Sequence, residues 1–246
     1  MRTLTPEMLA ERVYRYPHLP EDLEAAVLLI DKPQGWTSFG VVRYLRQLLG
    51  VRKVGHAGTL DPLATGLLIC LVGRATHWMT HFMMQDKLYE GVMRLGEITP
   101  SYDAETEVVE RRPWAHLTEC DLEQARRQFI GTIQQQVPAY SAVKVQGKRL
   151  YRHARAGREA ERPVRQVQIY AFTLLERKGA ELAFQVHCSK GTYIRSLVHD
   201  FGQALGCGAH LVALRRLRSG PYKVEEAWPL SAFEMAWRQR SFSAQE

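Results

Sequence analysis

The chain has 246 residues, 46% hydrophobic and 24% charged, the balance of a folded globule rather than of a disordered, collagenous or coiled-coil chain. At about 150 residues per domain this length allows one large domain or two modest ones, and it needs no disulfide or metal to hold a core. Lys and Arg number 33 against 26 Asp and Glu, a formal charge of +7, which points to a polyanionic partner, either nucleic acid or an anionic surface.

Residues 1–25 are polar and helix-compatible, close with Pro17 and Pro20, and read as an N-terminal lead-in. Glu7, Glu11, Glu21, Asp22 and Glu24 occupy the place where a secretory signal would need an apolar core. Ala26–Ile30 is predicted as a short buried strand that ends in the turn cluster Asp31-Lys-Pro-Gln-Gly35. Thr37 or Ser38 then caps a helix with Val41, Val42, Leu45, Leu48 and Leu49 on one stripe, stopped by Gly50. A glycine-rich loop, 55–66, leads into an apolar strand at 67–72. A helix over 74–83, a strand near 87–95 and an acidic loop over 97–110 follow. The pattern continues with a helix at 121–130, a turn-rich link at 131–139 and a basic segment at 144–165. Strands at 164–176 and 181–188, a helix at about 192–205, a strand at 210–217 and a short terminal helix complete it.

Strands and helices alternate without a regular βαβ rhythm, which favours an α+β domain with a mixed sheet. The longest apolar runs, 25–30 and 67–72, are too short to span a bilayer. Cys70, Cys120, Cys188 and Cys207 form no C-x-x-C pair, and Cys70 and Cys188 sit in apolar surroundings as buried thiols. The expectation is a cytoplasmic protein.

Three clusters carry chemistry. In the 55–66 loop, glycines let the backbone approach a ligand closely. Asp61 at its centre, stiffened by Pro62, is a nucleophile or base unless it serves only as an Asx-turn. No Gly-Lys-Ser/Thr follows, so the loop is not a phosphate-binding Walker A. The basic segment holds Lys144, Lys148, Arg149, Arg152, Arg155, Arg158, Arg162 and Arg165 against Glu159 and Glu161, with Tyr140, Tyr151 and His153 among them. Cations follow phosphates and aromatic rings stack on unpaired bases, so this segment is a candidate RNA or DNA contact. In Lys190-Gly-Thr-Tyr-Ile-Arg195, Thr192 is expected to cap a helix whose first turn presents Tyr193 and the planar fork of Arg195. His77 and His81 have the spacing of a metal pair without a third ligand. Asp61, Asp103 and Glu105 would suit a metal-dependent nuclease, and the basic segment alone would suit a non-catalytic RNA-binding module.

The loop Gly55-His-Ala-Gly-Thr-Leu-Asp-Pro-Leu-Ala-Thr-Gly-Leu-Leu68 resembles the catalytic-loop signature of the bacterial tRNA pseudouridine-55 synthases, the TruB family. Further segments are similar and in family order: Asp31-Lys-Pro-Gln-Gly-Trp-Thr-Ser38, Lys87-Leu-Tyr-Glu90, Gln136-Val-Pro-Ala-Tyr-Ser-Ala-Val-Lys144, Gly147-Lys-Arg-Leu-Tyr151, the 190–195 cluster and Gly206-Cys-Gly-Ala-His-Leu211. The resemblance covers about residues 26–230.

It implies a pseudouridine synthase fold, α+β with a mixed, largely antiparallel central sheet flanked by helices and loops. Residues 26–230 would form the catalytic domain, with an RNA-clamping insertion at about 138–166 and a short tail over 231–246. A C-terminal PUA domain, present in many bacterial members, is not expected. The implied reaction isomerises uridine 55 in the tRNA T-loop, with no cofactor and no metal. Asp61 falls at the catalytic aspartate, Arg195 at the arginine that pairs with it and Tyr89 at the tyrosine that packs on the flipped-out base. Tyr89 is also the candidate acceptor of the C5 proton. His56, Tyr193 and Leu214 match positions lining the nucleotide site or bound loop. Lys32, Lys144, Lys148, Arg149, Arg152, Arg155 and Lys190 are the expected RNA contacts. The expected partner is the T-arm of tRNA, bound by a monomer with no obligate protein partner and no membrane.

Overall fold

The computed structural model describes residues 5–145, 147–158 and 160–243. Gln146 and Glu159 of the basic segment, and the outermost ends of the lead-in and tail, lie outside the described residues. The chain forms two compact units, Met1–Lys87 with Arg215–Glu246, and Leu88–Leu214.

The first unit is built on β1 (Ala25–Lys32), α1 (Ser38–Leu49), β2 (Val54–His56) and β3 (Thr65–Gly73). Six successive residues of β1, Ala25–Ile30, have no exposed surface. An unbroken apolar run, rather than an alternating one, is what a strand covered on both faces requires. β1 pairs antiparallel with β3, from Ala25 opposite Gly73 to Lys32 opposite Gly66, and β2 joins β3 antiparallel. Val13–Tyr14 and Trp228–Pro229 lie parallel to β1. Leu9 and Val13 of the lead-in enter the same core as Val27, Leu29, Leu67, Ile69, Leu71 and Phe82. Each such side chain contributes about 1.5–3 kcal/mol by leaving water.

The second unit carries β4 (Lys87–Leu95), α2 (Glu119–Arg127), β5 (Gly131–Gln136), β6 (Val164–Lys178), β7 (Glu181–Cys188), α3 (Ile194–Ala204) and the first part of β8 (Ala209–Ser219). Its strand order is β8, β4, β7, β6, β5. β6 is antiparallel to both β7 and β5. Gly91 of β4 has no room for a side chain, since a Cβ would meet Phe184 at 2.7 Å and the Ala213 carbonyl at 2.8 Å. α3 packs through Phe201, which meets Phe172 edge-on at 5.6 Å.

The end of β8 returns to the first unit, where Arg215 and Arg216 pair parallel with Thr65 and Gly66. Gly66 is required there: its φ is +97°, and a Cβ would lie 2.4 Å from the Arg216 carbonyl oxygen. The last helix, α4, spans Leu230–Ser243. Strand pairing is mixed and mostly antiparallel, as expected of the α+β class.

Three local expectations are corrected. Gly131–Ala139 is not a turn-rich link, because its first six residues form β5; the ladder to β6, from Gln136–Val164 to Gly131–Ile169, outweighs the weak strand propensity of three glutamines. Residues 74–83 are not one helix but a 3-10 turn over Arg74–Trp78 followed by a short α-helix, Met79–Met83. Thr192 does not cap α3. Its hydroxyl donates to the Ser189 carbonyl at 2.9 Å, and Tyr193 occupies the cap position. Cys70 and Cys188 are buried as expected.

Candidate active site

Asp61 lies on the loop between β2 and β3, and α1 fixes that loop. Thr37 takes the helix cap by accepting from the Gly40 N–H at 2.8 Å. That leaves the next hydroxyl, Ser38, free to point inward. Ser38 Oγ accepts from the Leu60 N–H at 2.8 Å and donates to the Leu60 carbonyl at 2.9 Å, so both polar backbone atoms of the residue before Asp61 are held by one buried side chain. The Gly35 N–H donates to the Pro62 carbonyl at 2.8 Å, and the Ala64 N–H to the Asp61 carbonyl at 3.1 Å.

Two buried cations face this loop. Lys32 is completely buried, and its ammonium donates to the carbonyls of Pro33 at 3.0 Å and Trp36 at 2.7 Å. Burial pulls its pKa down to about 8, with the carboxylate of Asp61 opposing that pull and Arg216 adding to it. Arg216, also buried, donates through Nε to the Leu67 carbonyl at 2.7 Å and through Nη2 to the Gly58 carbonyl at 3.1 Å. Burial and the same arginine lower the pKa of His56, holding its imidazole neutral near pH 7. Arg215, its neighbour in β8, instead grips Asp31 with both prongs, at 3.0 and 2.7 Å. The sequence did not mark Ser38 or Arg216 as site residues. Their signals were a second hydroxyl beside a cap, and an arginine two residues from Leu214, on the inward face of β8.

In the second unit, the start of α3 is held by β5. The buried Gln135 side chain donates to the Tyr193 carbonyl at 3.0 Å and accepts from the Tyr193 N–H at 2.7 Å. Ser196 Oγ donates to the Gln136 carbonyl at 3.0 Å. Arg195 follows, 3% exposed. Its Nη1 donates to the Ser101 carbonyl and its Nη2 to the Tyr140 carbonyl, each at 3.1 Å, while Nε stands 3.4 Å from Asp103 Oδ2 as an ion pair. Asp103 is 1% exposed, and its other oxygen accepts from Ser101 Oγ at 2.6 Å and the Glu105 N–H at 3.0 Å. Asp103 is thus a ligand of Arg195, and Glu105 pairs with Arg155 at 3.3 Å; the nuclease reading would need both for a metal. His77, the other metal candidate, lies 2.9 Å from Lys53 Nζ, and His81 packs edge-on against Trp78 and Phe82.

Tyr89 sits on the buried face of β4 and Leu214 is nearly buried on β8. Lys190 is exposed in the turn before α3. Lys144, Lys148, Arg149, Arg152 and Arg155 are all exposed, on a two-stranded hairpin (Lys144–Val145 with Lys148–Arg149) and the short helix Leu150–Arg155. Leu150 anchors that helix by burial. Asp61, Lys32 and His56 therefore share the first unit, and Tyr89, Arg195, Tyr193, Leu214 and the basic segment share the second.

Comparison with known proteins agrees across nearly the whole chain. Residues 46–194 match the N-terminal domain of TruB family pseudouridylate synthases, and residues 195–245 match the tRNA pseudouridylate synthase B C-terminal domain. A tRNA pseudouridine synthase B from Syntrophotalea carbinolica is 46% identical over 85% of this chain and 68% of its own length. Another from Flavobacterium johnsoniae is 46% identical over 87% of this chain and 97% of its own. Among solved structures, a chain of a Cbf5-Nop10-Gar1 complex superposes with a TM-score of 0.63 at 34% identity, over 82% of this chain and 50% of that one. A chain of an H/ACA RNP bound to a substrate RNA containing 2'-deoxyuridine gives 0.64 at 30% identity, over 87% and 55%. This chain thus spans about half the length of those two solved chains. It belongs to the TruB family of tRNA pseudouridine synthases.

Proposed function

We propose that this protein converts uridine 55 in the T-loop of tRNA to pseudouridine, and that Asp61 opens the reaction. The observation that carries the reading is the fixing of Asp61: its loop is locked at Leu60 by Ser38, and its charge acts on the buried ammonium of Lys32. A carboxylate so placed is oriented before substrate arrives, which spares the cost of ordering it during reaction. The family's enzymes and the names of the relatives support the substrate.

The reaction breaks the N1–C1′ bond, turns the uracil over, joins C5 to C1′ and sends the C5 proton to a base. Every atom of the substrate except that exchanged proton stays in the product. Asp61 attacks the sugar or the base, or removes a sugar proton; all three routes use an ionised carboxylate. Arg195 supplies a planar cation, and Tyr89 receives the base once it leaves the stack. His56, Tyr193, Leu214 and Lys190 complete the nucleotide contacts, and the exposed cations of 144–155 follow the phosphates of the T-arm. The same reading takes the protein as a cytoplasmic monomer. No helix among the described residues is long and apolar enough to cross a membrane.

The test is to incubate the protein with an unmodified tRNA transcript and map pseudouridine by chemical probing. One modified site, at uridine 55, is expected. Tight tRNA binding with no pseudouridine anywhere would leave only an RNA-binding module and overturn the reading.

A further inference from the structure

Among the described residues, Tyr102 is the only one other than glycine with a left-handed backbone, φ +65°. An L-residue adopts this conformation at a cost and keeps it only where its surroundings impose it. Tyr102 stands between Ser101 and Asp103, both of which face Arg195. Its own N–H donates to the Thr99 carbonyl at 3.2 Å, and its carbonyl accepts from the Leu211 N–H at 3.0 Å. Turning the chain left-handed here lets the buried Ser101 hydroxyl reach Asp103 while the Ser101 carbonyl receives the guanidinium.

The ring is held as firmly as the backbone. It stacks on His199 with centroids 3.7 Å apart and planes 15° from parallel. His199 lies four residues after Arg195 on α3, on the same face of the helix. One helix therefore grips this turn twice, through the guanidinium and through the imidazole. Burial, with Arg162 and Arg112 nearby, lowers the His199 pKa to about 4, so the ring that meets the phenol is neutral. The Tyr102 hydroxyl accepts from Arg162 Nη1 at 2.9 Å, which ties the turn to the end of the basic segment.

We propose that Tyr102 is a positioning residue for Arg195, its left-handed backbone and its doubly held ring keeping Ser101 and Asp103 against the guanidinium. The catalytic consequence rests on the reading that the chain forms pseudouridine; the structural one does not.

Two substitutions separate the parts. Tyr102→Gly retains easy access to the left-handed backbone and removes the ring, whereas Tyr102→Phe removes only the hydroxyl. Single-turnover pseudouridine formation at saturating tRNA should fall about tenfold or more in Tyr102→Gly and about two- to threefold in Tyr102→Phe, with tRNA Kd within about twofold. In an Arg195→Lys background, Tyr102→Gly should add less than about twofold, because a residue acting through Arg195 has nothing left to act on. Independently of activity, the Arg195 Nε–H resonance in 15N-arginine-labelled protein, identified by its loss in Arg195→Lys, should shift or broaden in Tyr102→Gly. An unmoved resonance, or the same tenfold loss in both backgrounds, overturns the proposal. If Tyr102→Gly does not fold, His199→Ala removes the stack from the other side and carries the same expectations. A wild-type protein that made no pseudouridine would defeat the functional reading, and the resonance would still decide the role of Tyr102.

Discussion

Aspartate and asparagine have nearly the same shape and both form Asx-turns, so exchanging them at position 61 separates a charged role from a conformational one. Ser38 holds Leu60 through backbone atoms, and that lock survives the exchange. Asp61→Asn should therefore fold normally. Pseudouridine formation should drop below detection while tRNA affinity stays within about tenfold, or ~1.4 kcal/mol, as read by product mapping beside filter binding. Substantial product from a verified preparation would return Asp61 to the rank of a turn residue. At this scale the sequence was eloquent about groups that carry charge on a special backbone, such as Asp61 between glycines. It was silent about their supports. Nothing local marks Gln135 as the residue that satisfies the backbone at Tyr193, because its partner lies 58 positions away. Asp103 looked like a metal ligand for the same reason: its cation, Arg195, is distant in the chain.

Helix α3 concentrates the electrostatics of its unit. Burial lowers the His199 pKa to about 4 and raises that of the adjacent Asp200 to about 6. The two act oppositely on stability. Between pH 4 and 6.5 the unfolded state protonates His199 more readily than the folded state, so its contribution is lost as pH falls. Between about 3.8 and 6 the folded state holds the extra proton on Asp200, so that contribution is lost as pH rises. The slopes largely cancel near pH 5. Asp200→Asn should uncover the histidine alone, steepening acid destabilisation between pH 6 and 4 by up to about 1.4 kcal/mol per pH unit, measured by urea unfolding across that range. An unchanged slope would contradict the burial of Asp200. Elements with a strong internal pattern were legible: β4 appears over 87–95 as expected, and α1 has its predicted cap and stripe. β5 was missed because its identity comes from the strand beside it.

Across the whole molecule, net charge is carried unevenly, and the exposed cations of the hairpin and short helix are its most concentrated part. Arg155 is engaged with Glu105 and lies over the Tyr151 ring at 5.8 Å, so Lys148, Arg149 and Arg152 are the better probes of phosphate binding. Reversing these three to Glu should weaken tRNA binding and flatten its dependence on salt, by roughly 0.7–0.9 in log–log slope for each phosphate no longer neutralised. Turnover at saturating tRNA should change less. A slope equal to that of the wild type would place the tRNA backbone elsewhere. The overall class was readable from the sequence because ordered motifs spanned most of it. The division into two units was not, since a unit made from both ends of the chain leaves no local mark.

That division bears on how the protein is made. The first unit needs residues 215–229 to finish it: β3 acquires its parallel partner at Arg215–Arg216, and β1 acquires one at Trp228–Pro229. The second unit is a single uninterrupted stretch. On the ribosome, residues 88–214 must therefore emerge while the first unit waits with part of its sheet edge unsatisfied, for on the order of ten seconds at bacterial elongation rates. The loop that carries Asp61 is translated before the second unit, yet Arg216, whose guanidinium holds the Gly58 carbonyl, follows only after it. A nascent chain stalled before that point carries Asp61 without the arginine that braces its loop.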